Sequence, residues 1–221
     1  GQVRKNVHEG GHDMKRKMVI ILAMLALLLT GCVGDKVEQN KADLYYGDNP
    51  PQLVPEVAEY YDSLGITEEV WKNAEAVYGT YWIHDEKEVT IRWPEYWQDL
   101  YVIQAGQGIT VYDKFSYDLS DGTMGNLWRI YVNTHEEFEW YMESEYYDDP
   151  YAEILGANSA VIGTDDEYVY ILMLPTDVQF DFNVEHAWEY YSAAMDNKEK
   201  FIADFLAVNH ITVNEKAPNL N

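Results

Sequence analysis

The chain has one cysteine, Cys32, so no intramolecular disulfide can form and whatever fold it adopts stands on its core alone. Basic residues are scarce: 15 Lys and Arg stand against 39 Asp and Glu, a formal net charge of -24. Nucleic acid is bound through clustered positive charge, so this balance excludes it as a partner class and argues against an anionic lipid surface. Cationic ligands stay electrostatically open, although acidity also keeps an exported protein soluble. Recognisable catalytic spacings are missing as well. His84, His135, His186 and His210 lie in different segments without HExxH or other zinc-ligand spacing, and no P-loop, GxGxxG cradle or GxSxG elbow is present. These absences disfavour an enzyme and lead to the expectation of no cofactor and no metal.

Long apolar runs are absent too, with one exception. Residues 18–29 form an apolar stretch of about 12 residues, whereas a helix crossing a hydrocarbon core needs about 20. Lys15, Arg16 and Lys17 precede it, and Leu29, Thr30, Gly31 and Cys32 follow it, so the order is that of a signal peptide. The last four residues resemble the bacterial lipobox. That resemblance implies a diacylglyceryl group on the Cys32 thiol, cleavage before Cys32, and attachment to the outer face of a membrane through that lipid. Cleavage there removes Arg4, Lys5, Lys15, Arg16 and Lys17 but only Glu9 and Asp13, so the mature chain is more acidic still. Glu9, Gly10 and Gly11 are what a purine-rich ribosome-binding site would encode ahead of Met14. Residues 1–13 are therefore read as translated upstream sequence, 14–31 as the signal peptide and 32–51 as a tether ending in the turn chemistry of Gly47, Asp48, Asn49, Pro50 and Pro51.

What is abundant is aromatic. Nineteen Tyr and seven Trp suit a packed, ordered domain rather than a disordered stalk. Residues 52–85 are expected to form a helical preface: Pro55 starts one helix stopped by Gly65, and Thr67 caps a second in which Val70, Trp71, Ala74, Val77 and Tyr78 recur at helical spacing up to Gly79. From residue 86 to 214 the pattern predicts an α+β domain, a mostly antiparallel sheet covered by helices. Strands are expected at 88–93, 100–104, 109–112, 127–132, 160–162 and 168–174, with a further start at Ile154 and Leu155. The 168–174 strand is apolar on both faces, which places it centrally. Residues 118–125 read as a loop. Thr134 and Glu137 form a capping box for a helix carrying Phe138 and Tyr141. Asn183 is expected to cap the longest helix, about 25 residues and about 37 Å, running to Val208.

Two motifs carry a family resemblance: Trp93, Pro94, Glu95, Tyr96, Trp97 before a strand, and Pro175, Thr176, Asp177, Val178, Gln179 after the central one. With the intervening strands and closing helix, residues 86–208 resemble uncharacterised lipoproteins and surface domains of Gram-positive, Firmicutes-type gut bacteria. More weakly, they resemble the Mog1/PsbP-like sandwich. Where that pattern has a Gly-Gly pair before the fourth strand, this chain has Gly125 and Asn126. The resemblance implies a fold and a location and carries no reaction.

For binding, the candidate surface lies within 136–153, where eight carboxylates interleave with aromatics. Glu139, Trp140, Glu143, Tyr146, Tyr147, Asp148, Asp149 and Tyr151 together could hold a cationic or sugar ligand by ion pairing, cation–π contact and stacking. The same residues also read as a solvated helix face and loop. Other acidic clusters are weaker: His84 with Asp85 and Glu86, Asp118 with Asp121 and Gly122, where Leu119 breaks calcium-loop spacing, and Asp165 with Asp166 and Glu167. Three functional readings follow, in order: a non-catalytic envelope lipoprotein binding an unidentified ligand or envelope protein, a carboxylate-dependent glycan hydrolase, and an accessory protein in envelope assembly or export.

Overall fold

A computed structural model of the chain describes residues 52–84, 86–143, 145, 147–156 and 158–220. Cys32, the signal peptide, the tether and the segment before Met14 lie outside the described residues, as do Asp85 and Tyr146.

Helix α1 spans Pro55–Ser63, with proline in the first turn where its missing N–H is no loss. It closes in a Schellman motif: Gly65, at φ +78°, donates its N–H to Asp62 O, and Ile66 donates to Tyr61 O. Tyr61 and Ile66 are both buried, which seals the turn. Helix α2, Glu68–Asn73, is capped by Thr67 but buries none of its residues. Its expected continuation to Tyr78 is corrected by the structure, because Ala76–Ile83 forms strand β1, paired antiparallel over its whole length with β2, Lys87–Pro94. Val77, Tyr78, Tyr81, Trp82 and Ile83 are β-branched or aromatic and gain cross-strand partners there, while the six-residue helix is anchored mainly through Trp71, edge-on to Tyr61.

A 3-10 turn at Glu95–Asp99 buries Tyr96 and Trp97 and leads into the main sheet. That sheet comprises β3 (Tyr101–Ala105), β4 (Gly108–Asp113), β5 (Asn126–Thr134), β6 (Ser159–Thr164), β7 (Tyr168–Met173) and β8 (Thr212–Val213), in the order β3-β4-β5-β7-β6-β8, every pair antiparallel. The protein is thus α+β with two antiparallel sheets. Strand β7 is interior, as its two apolar faces require. Leu155 contributes a single bridge to Ser159 rather than a strand. A short helix, α3 (Lys114–Leu119), occupies residues that carried no helical expectation; Asp113 caps it by accepting the Ser116 N–H at 3.0 Å and the Ser116 hydroxyl at 2.6 Å.

Helix α4, His135–Glu143, starts at the expected capping box. The long C-terminal helix is instead two: α5, Ala187–Met195, and α6, Lys198–Val208. The break has a polar cause. Tyr101 Oη donates to Ala194 O, the carbonyl that residue 198 would use in an unbroken helix, and accepts from Asn197 Nδ2 at 2.6 Å. Asn197 is 1% exposed, so this bond is sealed inside the core. Nor does Asn183 cap α5: its N–H bonds Asp181 Oδ1, and the helix begins after His186 in the left-handed region at φ +62°.

Hydrophobic residues gather on both sides of the main sheet. The larger cluster, around Trp97, Trp128, Tyr170, Phe201 and Phe205, lies where α5 packs on β4 and β5 and α6 packs on β2. The Arg92–Asp204 ion pair and a two-bond match between Asn209 and the Thr90 backbone tie α6 to β2. The smaller cluster, Phe138, Leu155, Val161, Val169 and Ile171, seats α4 on the opposite face. That face is only partly covered.

Candidate functional site

From Trp128 onward strand β5 sorts its side chains by alternation. Trp128, Ile130 and Val132 are fully buried in the larger core, and Arg129, Tyr131 and Asn133 point the other way. Registry fixes their neighbours on that outer face: Arg129 sits beside Thr110 and Met173, Tyr131 beside Gly108 and Ile171, and Asn133 beside Val169. At the end of β5 the chain turns into α4, which brings Glu137, Trp140 and Tyr141 along one side of the helix at i, i+3 and i+4. Between the helix and the sheet lies a pocket of about 500 Å³. Arg129, Tyr131 and Asn133 from β5, with Ile171 and Met173 from β7, form its floor. Glu137, Trp140 and Tyr141 form one wall; Gln107, Ser159, Leu155 and Gly156 complete it.

The wall helix is held at its first turn. Thr134 N–H donates to Glu137 Oε2 at 2.7 Å, Glu137 N–H donates back to Thr134 Oγ1 at 3.2 Å, and His84 Nε2 lies 2.7 Å from the same Glu137 oxygen. Accepting the Thr134 N–H, joined by the contacts from His84 and the Thr134 hydroxyl, holds the Glu137 carboxyl below its ordinary range against the opposing effect of burial. A second tether comes from the β6–β7 turn, where His135 Nε2 lies 2.9 Å from Asp165 O and the His135 N–H donates to Glu167 O. That turn is itself knotted. Asp165 accepts from Lys87 Nζ at 2.8 Å, Tyr170 Oη at 2.7 Å and the backbone N–H groups of Glu167 and Tyr168.

Arg129 and Lys198 differ from most of the described cations: Lys198 Nζ donates to the Leu220 carbonyl at 2.7 Å, and Arg129 too lacks a carboxylate among the described residues. Lys72, Lys87, Arg92, Lys114 and Lys216 each lie against a carboxylate. The Arg129 Nε–H instead donates to the hydroxyl of buried Thr110 at 2.9 Å, and among the described residues no carboxylate is within ion-pair distance of its guanidinium. Glu137 is the one carboxylate in the described lining of the pocket, and its Oε2 is taken up by the helix cap and by His84. Trp140, 74% exposed, stands at the rim.

Of the eight residues singled out from the sequence, the seven that are described do not converge. Trp140 lines the pocket. Glu139 and Glu143 are exposed and absent from its lining. Tyr147 Oη accepts the Gly156 N–H at 2.7 Å and packs on the small core. Asp149 pairs with Lys216 at 3.0 Å and accepts the Tyr151 N–H, Tyr151 lays its ring edge-on to Phe138, and Asp148 is exposed. Tyr146 lies outside the described residues. Asp149, Tyr147 and Tyr151 are thus occupied within the fold, and Arg129, Asn133, Gln107, Glu137 and Tyr141, which carry no binding expectation from the sequence, line the pocket instead. Their signal was present in the polar members of a strand whose other face is wholly apolar.

A wider and more open groove of about 790 Å³ runs between α2 and the 3-10 turn and carries Glu69, Glu95 and Asp99. No base faces them there, and no group of three His, Cys, Asp or Glu among the described residues could hold a metal ion. It is the less formed of the two sites. Compared with family models, curated proteins and solved structures, the chain matches none. Geometry therefore carries the functional reading, and the best geometry is that of the α4 pocket, where a fixed guanidinium, amide groups and aromatic rings converge over an apolar floor.

Proposed function

We propose that this protein is an extracytoplasmic lipoprotein, anchored to the membrane through lipid on Cys32, related to the Gram-positive lipoproteins its motifs resemble, and that its α+β domain binds a ligand in the α4 pocket without chemically transforming it. The observation that carries the binding reading is that pocket, with Arg129 and Asn133 in its floor and Trp140 at its rim. Anchoring is supported by the basic cluster, short apolar run and Cys32 in sequence, and no helix among the described residues is long and apolar enough to cross a membrane. Hydrolysis of a glycosidic bond calls for two carboxylates flanking one bond. Among the described residues lining the pocket only Glu137 is a carboxylate, which disfavours that alternative.

The anchor is tested by labelling cells with an alkyne-bearing fatty acid. The wild-type chain is expected to take the label and sediment with membranes, and Cys32→Ser to lose the label and fail to be retained as the lipidated form. A Cys32→Ser chain that stays labelled removes the anchor from Cys32. Binding is tested by a thermal-shift screen of saccharides, short peptides and small metabolite-like acids, bases and neutral compounds. Compounds that stabilise the wild type and lose their effect on Trp140→Ala support the pocket. A screen in which Trp140→Ala changes no response refutes it.

A further inference from the structure

Taking the α4 pocket as a binding site, we propose that its ligand is a small carboxylate carried on a flat or apolar ring, with the carboxylate held by the Arg129 guanidinium and the ring against Trp140. The argument begins with charge. In a chain of 39 acidic and 15 basic residues, cations find carboxylates readily, and Lys87, Arg92 and Lys216 do so across large sequence distances. Arg129 lies in a pocket, and its contact there is a neutral hydroxyl. That contact uses Nε–H alone. It orients the guanidinium from the edge of Thr110 and leaves the terminal NH groups without a hydrogen-bonding partner among the described residues, the pair that matches two carboxylate oxygens.

A cationic ligand has the weaker seat, the Glu137 Oε1 atom left over by contacts that all fall on Oε2. Glu137 accepts its contacts from Thr134 and His84, and Arg129 shares the same lining and repels a second cation. The chain's negative charge opposes an approaching anion. At physiological ionic strength, however, the Debye length is about 8 Å, so remote carboxylates act weakly against a guanidinium in direct contact. Ile171, Met173 and the exposed Trp140 ring supply the apolar surface that a bare inorganic anion would leave uncovered. Neutral donors and acceptors on Asn133 and Gln107 suit ring hydroxyls or an amide on the same ligand.

Two sources present this chemistry, an acidic sugar and an aromatic or heterocyclic acid. Calorimetric titrations separate them with matched pairs: glucuronate against methyl glucoside, and indole-3-acetate against indole-3-acetamide. At least one acid is expected to bind about tenfold or more tightly than its neutral counterpart, and the pair that shows it identifies the ring class. Arg129→Gln is expected to erase the preference, Arg129→Lys to keep part of it, and Thr110→Val, which removes the orienting hydroxyl, to reduce it without abolishing it. Unchanged circular dichroism in Arg129→Gln, a surface side chain, separates lost binding from lost fold. Equal affinity for acid and neutral partner, a preference that survives Arg129→Gln, or no heat with any of the four probes up to their solubility overturns the proposal. Neutral or cationic screening hits lost on Trp140→Ala but kept on Arg129→Gln refute this assignment and leave the pocket itself standing.

Discussion

Asp165 offers the sharpest test of how the pocket wall is held. Its Oδ2 accepts Lys87 Nζ and Tyr170 Oη, its Oδ1 accepts the N–H groups of Glu167 and Tyr168, and its backbone carbonyl meets His135 at the start of α4. Its side chain is 17% exposed. Burial pushes its carboxyl up, but Lys87, the Tyr170 hydroxyl and the two backbone N–H groups outweigh that and hold it below its ordinary range. Asp165→Asn keeps one carbonyl oxygen for the two backbone donors and puts an NH2 where Lys87 and Tyr170 both donate. Hydrogen bonds to a charged group contribute about 1.5–3 kcal/mol each, and Lys87 recovers part of its hydration when released, so the substitution is expected to cost about 2–3 kcal/mol. Because the folded value is depressed, the stability Asp165 contributes is fully present above its unfolded pKa of about 3.9 and is lost as pH falls through the lower folded value. Urea melts of wild type and Asp165→Asn should therefore differ by a constant amount from about pH 7 to 5 and converge below about pH 4. Taking the difference between the two proteins cancels the titration of the other carboxylates. A gap that persists unchanged at low pH, or no gap at neutral pH, refutes the account of this turn as a charge-assisted knot.

Three further outcomes follow from particular contacts. Thr134→Ala removes one half of the capping box and is expected to cost about 1 kcal/mol and to raise the Glu137 carboxyl pKa, both readable by denaturant melts and by carboxyl NMR titration. Gly108→Ala drives a Cβ into the Ile130 carbonyl oxygen, and since that atom is strand backbone, β4 must move away from β5. A loss of about 2–4 kcal/mol, with increased amide exchange in β4, is expected, and a wild-type melt would show that the close approach is not required. The Tyr60 hydroxyl is pushed up to about 12 by burial first and then by Asp113. Tyr60→Phe should delete a late step from the alkaline absorbance titration and lessen the fall in stability above about pH 10, where an unfolded tyrosine ionises and the folded one resists.

Where the sequence was legible, local pattern and tertiary demand agreed. The period of two at 88–93, the capping box at Thr134 and the doubly apolar 168–173 all describe forces that act within a strand or one helical turn. Where expectation and structure part, a distant partner decides. Helical spacing at Val70, Trp71, Ala74 and Val77 is real, but residues 76–83 meet β2 across a short turn and pair with it, a gain that spacing within the segment does not display. Likewise the apolar stripe from Ala187 to Phe205 continues through Asn197, and only Tyr101, nearly a hundred positions away, gives that asparagine a reason to be buried and the helix a reason to break there.

The pocket residues were obscured for a related reason. Interleaved acids and aromatics at 136–153 draw attention by their density, yet density along the chain is not convergence in space. Asp149, Tyr147 and Tyr151 meet Lys216, Gly156 and Phe138 and so close a loop. A single arginine in β5 makes a weaker mark on composition. Its meaning comes from alternation. With Trp128, Ile130 and Val132 turned into the core, Arg129, Tyr131 and Asn133 have to share the outer face, and a central strand exposes such a face only where the covering element leaves room. Here α4, nine residues long, covers the part of that face over Val161, Val169 and Ile171, and the pocket opens between its Glu137, Trp140 and Tyr141 edge and Arg129. A polar side chain opposite a fully apolar face of an interior strand is therefore a better pointer to a site in this fold than a run of charges in a loop.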